Sequence, residues 1–242
     1  MSFKHMLAIA SGKGGVGKST VTASLGLAAV AAGHSAGIID ADLHGYSIPQ
    51  IMGADTQPYY DENENLFPGE AGGVKIVSMG YFVEDNPVIW RSPLYSQALN
   101  QFVNDFTWGD VDLLLLDLPP GTGDMPLNVL QRFPKTHILV VTTPQPAAAE
   151  VAARVAVMAE KMNASVLGVV ENMSWFECED CGHRHELFGA GGGAKMAKDL
   201  NTEVLGQLPL RPDLRQEADV GQLQLRSEFS EVFDRIKTKL NM

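Results

Sequence analysis

The sequence predicts an α/β protein: a doubly wound, mostly parallel sheet with helices on both faces. Three observations carry that prediction. Apolar runs such as Val111-Asp112-Leu113-Leu114-Leu115-Leu116-Asp117 are nearly continuous, as in strands buried on both faces of a parallel sheet. They alternate with longer Ala-, Leu- and Val-rich stretches of helical length. The first such junction, Gly12-Lys13-Gly14-Gly15-Val16-Gly17-Lys18-Ser19-Thr20, sets a glycine loop between an apolar strand and a helix.

Strand, glycine loop and helix give the pattern G-x-x-x-x-G-K-[ST] the context of a phosphate-binding loop, or P-loop. Residues 5–10 are the expected strand and 21–32 the helix, which Gly33 ends. Gly12, Gly14, Gly15 and Gly17 have no Cβ, so the N–H groups of residues 12–20, Val16 and Thr20 among them, can point at phosphate oxygens. The helix N-terminus adds unpaired N–H groups and partial positive charge. Lys18 is expected at the β/γ-phosphates and the Ser19 hydroxyl on Mg²⁺. A glycine-rich turn that binds nothing would not need Lys18-Ser19 at the helix start.

Composition bounds the rest. A chain of 242 residues suits one large α/β domain or two small ones, and is read as a single domain, 1–242. Its 18 Lys and Arg against 29 Asp and Glu give −11, which opposes a general affinity for nucleic acid or anionic membrane. The apolar start runs straight into the glycine loop, unlike a signal peptide, and no run approaches a membrane span of about 18 residues. Two cysteines, Cys178 and Cys181, cannot form a disulfide framework, so the reducing cytoplasm is expected.

Residues 36–40 read as the second strand, ending in Asp40-Ala41-Asp42-Leu43-His44-Gly45. Carboxylates beyond a strand's C-terminal end face the crevice where doubly wound sheets bind ligands, although a turn Asp pair gives the same letters. Residues 54–73 are polar and rich in Pro, Gly and Asn, a surface excursion before a strand at 73–78 and a helix at 94–106. Asp117 ends the 111–117 strand at the position that holds Mg²⁺ directly or through water. Leu118-Pro119-Pro120-Gly121-Thr122-Gly123-Asp124 is too rich in Pro and Gly for regular structure. Strands are expected at 136–142, 166–172 and 204–210, with an Ala-rich helix through Met162 between the first two. Glycines 189–193 open a helix at about 194–200; a flexible turn is preferred to a second phosphate site there, because no Lys-Ser/Thr follows. Phe229, Val232, Phe233, Ile236 and Leu240 fall on one face of a last helix, read as packing on the sheet rather than as a membrane-targeting tail.

Cys178-Glu179-Asp180-Cys181 lies in a loop at about 175–190. C-x-x-C spacing lets two thiolates chelate one metal or cluster face, and alone leaves three readings open: an iron–sulfur cluster, a structural zinc using His183 or His185, and a redox dithiol. The acidic neighbours Glu177, Glu179 and Asp180 are expected to oppose a stabilised thiolate, which weakens the redox reading.

With these motifs in view, the chain resembles the MinD/Mrp class of ATPases, the deviant Walker A branch of the P-loop NTPases, and within it the Mrp/ApbC group of iron–sulfur carriers. The resemblance rests on Gly12–Thr20, Asp40–Pro49, Asp117–Asp124, Glu171-Asn172-Met173-Ser174 and the two cysteines. It implies that Lys13 reaches across a homodimer to the partner's nucleotide. It further implies that Asp42 orients the attacking water, that Asp40 lies near Mg²⁺, that residues 117–124 sense the γ-phosphate and that Asn172 pairs with adenine. It also implies a [4Fe–4S] cluster shared between two subunits, two cysteines from each, with slow ATP hydrolysis coupled to delivery. Partners would be a second copy, apo-protein recipients and cluster-assembly proteins, with no nucleic acid and no membrane.

The departures are local. Gly45-Tyr46-Ser47-Ile48-Pro49 replaces G-P-S-x-P, Ser92 stands where a W-R-G-P segment has glycine, and Pro146–Glu150 replace an aspartate-bearing helix start. The small N-terminal domain of many relatives is not expected, so the ATPase core is read as standing alone. Rival readings are a positioning ATPase like MinD or ParA, a P-loop ATPase with structural zinc, and a metabolic kinase or ligase, for which no substrate pocket is evident.

Overall fold

The structure is a computed structural model that describes residues 2–43, 45–54, 57–81, 92–121, 123–133, 135–145 and 149–242. His44, Trp90, Arg91, Thr122 and residues 146–148, together with the side chains of Ser92, Asp124 and Glu150, lie outside that description.

The chain alternates strand and helix as its apolar pattern requires. β1 (Ser2–Ala10) leads to α1 (Lys18–Ala31), β2 (Ala36–Asp40) and a short α2 (Ile48–Met52). A hairpin, β3 (Tyr59–Tyr60) with β4 (Leu66–Phe67), precedes β5 (Gly69–Ala71) and β6 (Val74–Ser78). Then come α3 (Ser92–Asn104), β7 (Asp110–Asp117), α4 (Asp124–Arg132), β8 (His137–Thr142), α5 (Ala149–Met162) and β9 (Val166–Glu171). The hairpin β10 (Phe176–Glu177) and β11 (Arg184–His185) is followed by α6 (Gly192–Asp199), β12 (Val204–Gln207), α7 (Pro212–Asp219) and α8 (Ser227–Leu240).

One sheet of eight strands, in the order β12-β9-β8-β1-β7-β2-β6-β5, organises the molecule. Every pairing in it is parallel except β5 with β6. The predicted mostly parallel, doubly wound architecture is what is observed. Both faces of the sheet are covered. In β1, Leu7 and Ile9 join the core beneath α1 and α8, while Ala8 and Ala10 join the opposite core with Tyr95, Phe102, Trp108 and Val155. Burial on both faces is why the central strands read as continuous apolar runs.

The polar excursion before β6 is more ordered than its composition suggests. It holds β3–β4, with Tyr59 stacked on Phe67 at a 5.4 Å centroid separation, and the antiparallel edge strand β5. The helices α2, α4 and α7 are shorter than the periodic signal in sequence can register. Two boundaries also move: α6 starts at Gly192, two residues early, and β12 stops at Gln207, where Leu208 N–H turns back to Glu171 O.

The last helix is part of the core. Phe229, Val232, Phe233, Ile236 and Leu240 are all buried, and α8 packs along α1. Gly206 lets it approach: a Cβ there would lie 2.3 Å from Val232 Cγ2. No described helix is long and apolar enough to cross a membrane. Phe233→Ala should therefore cost about 3–5 kcal/mol of folding stability. A urea midpoint within error of the wild type would show that α8 is not part of the core.

Candidate functional site

The loop between β1 and α1 owes its course to its glycines. Gly15 and Gly17 have φ of 78° and 82°, in the left-handed region that Cβ-bearing residues avoid. Gly17 caps α1, and a Cβ on it would sit 2.2 Å from Asn172 Nδ2. Gly12 is equally constrained, because a Cβ there would meet Val151 Cγ1 of α5 at 2.1 Å. These contacts close the loop over the helix N-terminus, where N–H groups and the helix dipole favour an anion.

Behind the loop, β7 delivers Asp117 to the start of α1. Lys18 Nζ lies 2.7 Å from Asp117 Oδ2, and Ser19 Oγ donates to the same oxygen at 2.7 Å. Thr22 Oγ1, one turn on, lies 2.7 Å from Asp117 Oδ1. Asp117 is wholly buried and Lys18 nearly so. A buried pair offsets its desolvation only when its remaining lone pairs are satisfied, which the two hydroxyls do here. The sequence motifs joined Lys18, Ser19 and Asp117; Thr22 was missed, although it falls four residues after Lys18 on the same helix face.

Asp40 ends β2 directly beside Asp117 in register. Its oxygens receive Ser47 N–H at 3.1 Å, Ile48 N–H at 3.2 Å, Asp42 N–H at 3.3 Å and Ser78 Oγ at 3.0 Å. In this arrangement Asp40 anchors the chain leaving β2. Burial first, and the Asp117 charge second, push its carboxyl up to about 7. The anchored segment carries Asp42 at the same end of the sheet as the glycine loop, with Gly45 N–H donating to Asp42 Oδ1 at 3.1 Å. Tyr95 OH fixes the intervening Ala41 carbonyl at 2.7 Å.

The segment after Asp117 is tied to the loop from the other side. Leu118 N–H donates to Ile9 O at 3.2 Å and Gly121 N–H to Ser11 O at 2.8 Å. Lys13 is exposed, and its Nζ donates to Gln145 Oε1 of the same chain at 2.7 Å.

Asn172 has a role the sequence could not reveal. Its Nδ2 donates to the Val16 carbonyl at 2.9 Å, clasping the loop to the end of β9. Beside it opens a cavity of about 590 Å³, lined by Gly17, Ile51, Met173, Leu210, Leu214 and others. This mostly apolar slot lies against the glycine loop. Pro209 and Leu210, after β12, form one wall of it and Leu214 of α7 another.

The cysteines sit on the β10–β11 hairpin. Cys178 N–H donates to His183 O at 2.9 Å and Gly182 N–H to Cys178 O at 2.8 Å, with Gly182 at φ 67° making the turn. Both thiols are free, Cys181 fully exposed and Cys178 half-buried. The Glu179 charge opposes a stabilised thiolate at Cys178, as expected of the acidic neighbours. The N–H groups of Cys181 and then Asp180 hold its thiol below the usual range, and outweigh the opposing Glu179 charge. Among the described residues no group of three or more His, Cys, Asp or Glu side chains is arranged to hold a metal ion. His183 and His185 face each other instead, with ring centroids 4.6 Å apart.

The glycine-rich start of α6 is filled from within. Glu171 Oε2 accepts Gly193 N–H at 2.5 Å, and Pro144 O accepts Gly192 N–H at 3.1 Å. A buried carboxylate thus occupies the helix N-terminus that a phosphate would need.

Fold and site together define a P-loop nucleotide-binding protein. The family described as ParA, NUBPL iron-transfer P-loop NTPase, matches residues 2–241, and the chain belongs to it. Among curated relatives, the "Iron-sulfur cluster carrier protein" of Bacillus subtilis is 49% identical over 209 residues, covering 86% of this chain and 59% of that protein. The protein of the same name from Escherichia coli K12 is 43% identical over 247 residues, covering 98% of this chain and 67% of its own. The chain thus spans about three fifths to two thirds of the length of these relatives. A nucleotide-binding protein from Archaeoglobus fulgidus, solved in complex with ADP, is 36% identical with a TM-score of 0.84, covering 96% of this chain and 92% of that one. MinD from Aquifex aeolicus, at 21% identity, a TM-score of 0.65 and 97% coverage of both chains, shares the fold.

Two outcomes test this geometry. Gly17→Ala forces a Cβ into Asn172 at positive φ, a strain of about 1–3 kcal/mol, and should weaken nucleotide binding at least about tenfold by calorimetry. Unchanged affinity would mean that the loop does not hold the phosphates. The raised Asp40 pKa makes a sign prediction: this group's contribution is full below about pH 4 and is lost as pH rises to about 7. Asp40→Asn, which cannot ionise, should gain urea stability relative to wild type over that interval, and parallel pH profiles would contradict the assignment.

Proposed function

We propose that this chain is an ATP-hydrolysing iron–sulfur cluster carrier that works as a homodimer in the cytoplasm. Lys18 and the loop N–H groups hold the β- and γ-phosphates, and Asn172 and the apolar slot hold adenine. Ser19 would ligate Mg²⁺, with Asp117 holding the ion directly or through water, a reading supported by the Ser19–Asp117 hydrogen bond. Asp42 orients a water that attacks the γ-phosphorus, breaking the bond to the β-phosphate oxygen and releasing ADP and phosphate. Lys13 leaves Gln145 to reach the partner's nucleotide, so ATP is both substrate and part of the dimer contact.

The observation that carries the cargo assignment is the pair Cys178, half-buried, and Cys181, exposed, which has no third ligand among the described residues. A single zinc commonly takes four ligands, and an iron–sulfur cluster usually takes four cysteines. Two copies would supply four sulfurs. The family and the carrier names of its relatives support iron–sulfur chemistry over zinc. Apo-proteins would receive the cluster, and assembly proteins would supply it.

Anaerobic reconstitution with iron and sulfide should give about four iron and four sulfide per dimer, lost in Cys178→Ala and in Cys181→Ala. Iron bound by a monomer, or retained in the single variants, would overturn the bridged cluster.

A further inference from the structure

Residues Pro209, Leu210, Arg211 and Pro212 form a wall with a cavity on each side. One side is the base cavity beside the glycine loop. The other is a second cavity, of about 480 Å³, lined by Trp175, Phe176, Cys178, Glu179 and Arg184. The wall is fastened to the strand end that bears the cysteine hairpin. Ser174 N–H donates to Leu208 O at 2.8 Å, and Leu210 N–H to Trp175 O at 2.7 Å. The same strand end clasps the glycine loop through Asn172 and Val16. A continuous bonded path thus runs from the P-loop to within three residues of Cys178.

Arg211 holds this wall from both flanking helices. Its Nη1 donates to Glu228 of α8 at 2.8 Å, and its Nε and Nη2 donate to the two oxygens of Asp213 in α7 at 3.3 Å each. Pro209 and Pro212 remove backbone freedom on either side. A wall this thin and tied at both ends moves as one piece, so a shift on its base side is a shift on its cysteine side.

We infer that Arg211 is a positioning residue that transmits occupancy of the base cavity to the cysteines of the same chain. The inference rests on the proposed nucleotide site, and on the carrier reading only for what the coupling serves. Nucleotide acts by binding one arrangement of the wall better than another. Pressed from the base side, the wall narrows the cavity at Cys178 and restricts access to its sulfur. If the wall couples the two cavities, a group fixed on Cys178 should in turn weaken ADP binding. It operates within one chain, apart from any effect of dimer formation.

The two cysteines are the only ones in the sequence, so thiol alkylation reads the hairpin alone. The test uses metal-free protein and iodoacetamide, with and without saturating Mg–ADP, at a concentration where light scattering gives the same mass in both. ADP should slow alkylation of Cys178 about fivefold or more in the wild type. At saturating ADP the slowing should fall below about twofold in Arg211→Ala and be largely retained in Arg211→Lys, which keeps the charge. Glu228→Gln loosens the same guanidinium from α8 and should give an intermediate effect, which covers the case of a poorly folded Arg211→Ala. No effect of ADP on the wild type, or equal slowing in all variants, would overturn the inference. Iron is absent from the assay, so failure of the carrier reading leaves this result standing, and the reverse also holds.

Discussion

The site depends on one buried ion pair. Asp117 is held at the end of a central strand by pairing with β1 and β2, and its charge must be met there. Lys18, Ser19 and Thr22 meet it from the first turns of α1, which fixes the rotation and height of that helix against the sheet. Removing one partner of such a pair leaves an uncompensated buried charge, at a cost of about 3–5 kcal/mol. The glycine loop has to span the gap between β1 and a helix already placed, and its positive-φ glycines make that path possible. On the proposed function, fold stability and nucleotide chemistry share the same side chains.

From that pair the other functional parts are positioned by the sheet. Asp40 lies beside Asp117 across β2 and β7, and it spends its hydrogen bonds on the segment that carries Asp42. Gly121 returns to Ser11, so the chain after Asp117 also touches the loop. On the far side, Asn172 clasps Val16 while the next residues lead through Trp175 to Cys178. The nucleotide site and the cysteines are separate in chemistry and adjacent in backbone. On the proposed function, that adjacency would be the route by which nucleotide state alters how the cysteines are presented.

Much of this was legible in the sequence because its causes are local. The continuous apolar runs of β7, β8 and β9 report burial on both faces, and the Gly–Lys–Ser order at 17–19 reports the loop. The apolar face of α8 was equally plain. What was not legible depends on contacts between distant residues. Nothing in Asn172 or its neighbours indicates that the side chain would bond Val16, since that contact exists only once β9 lies near β1 across the sheet. The two-residue strands β10 and β11 are too short to leave a periodic signal, and the N–H groups aimed at the Cys178 thiol are not visible in sequence as its charged neighbours are. Pro212, which starts α7 and closes the base cavity, read only as part of an unassigned stretch.

Transfer of a cluster is the most direct test of the central claim. Reconstituted protein, freed of excess iron and sulfide, is mixed with an apo-ferredoxin, and the recipient's visible spectrum is followed with and without Mg–ATP. The account predicts that wild-type protein builds the ferredoxin spectrum at a rate that responds to nucleotide, and that a Cys178→Ala/Cys181→Ala double variant does not. Equal transfer by the two proteins would contradict it.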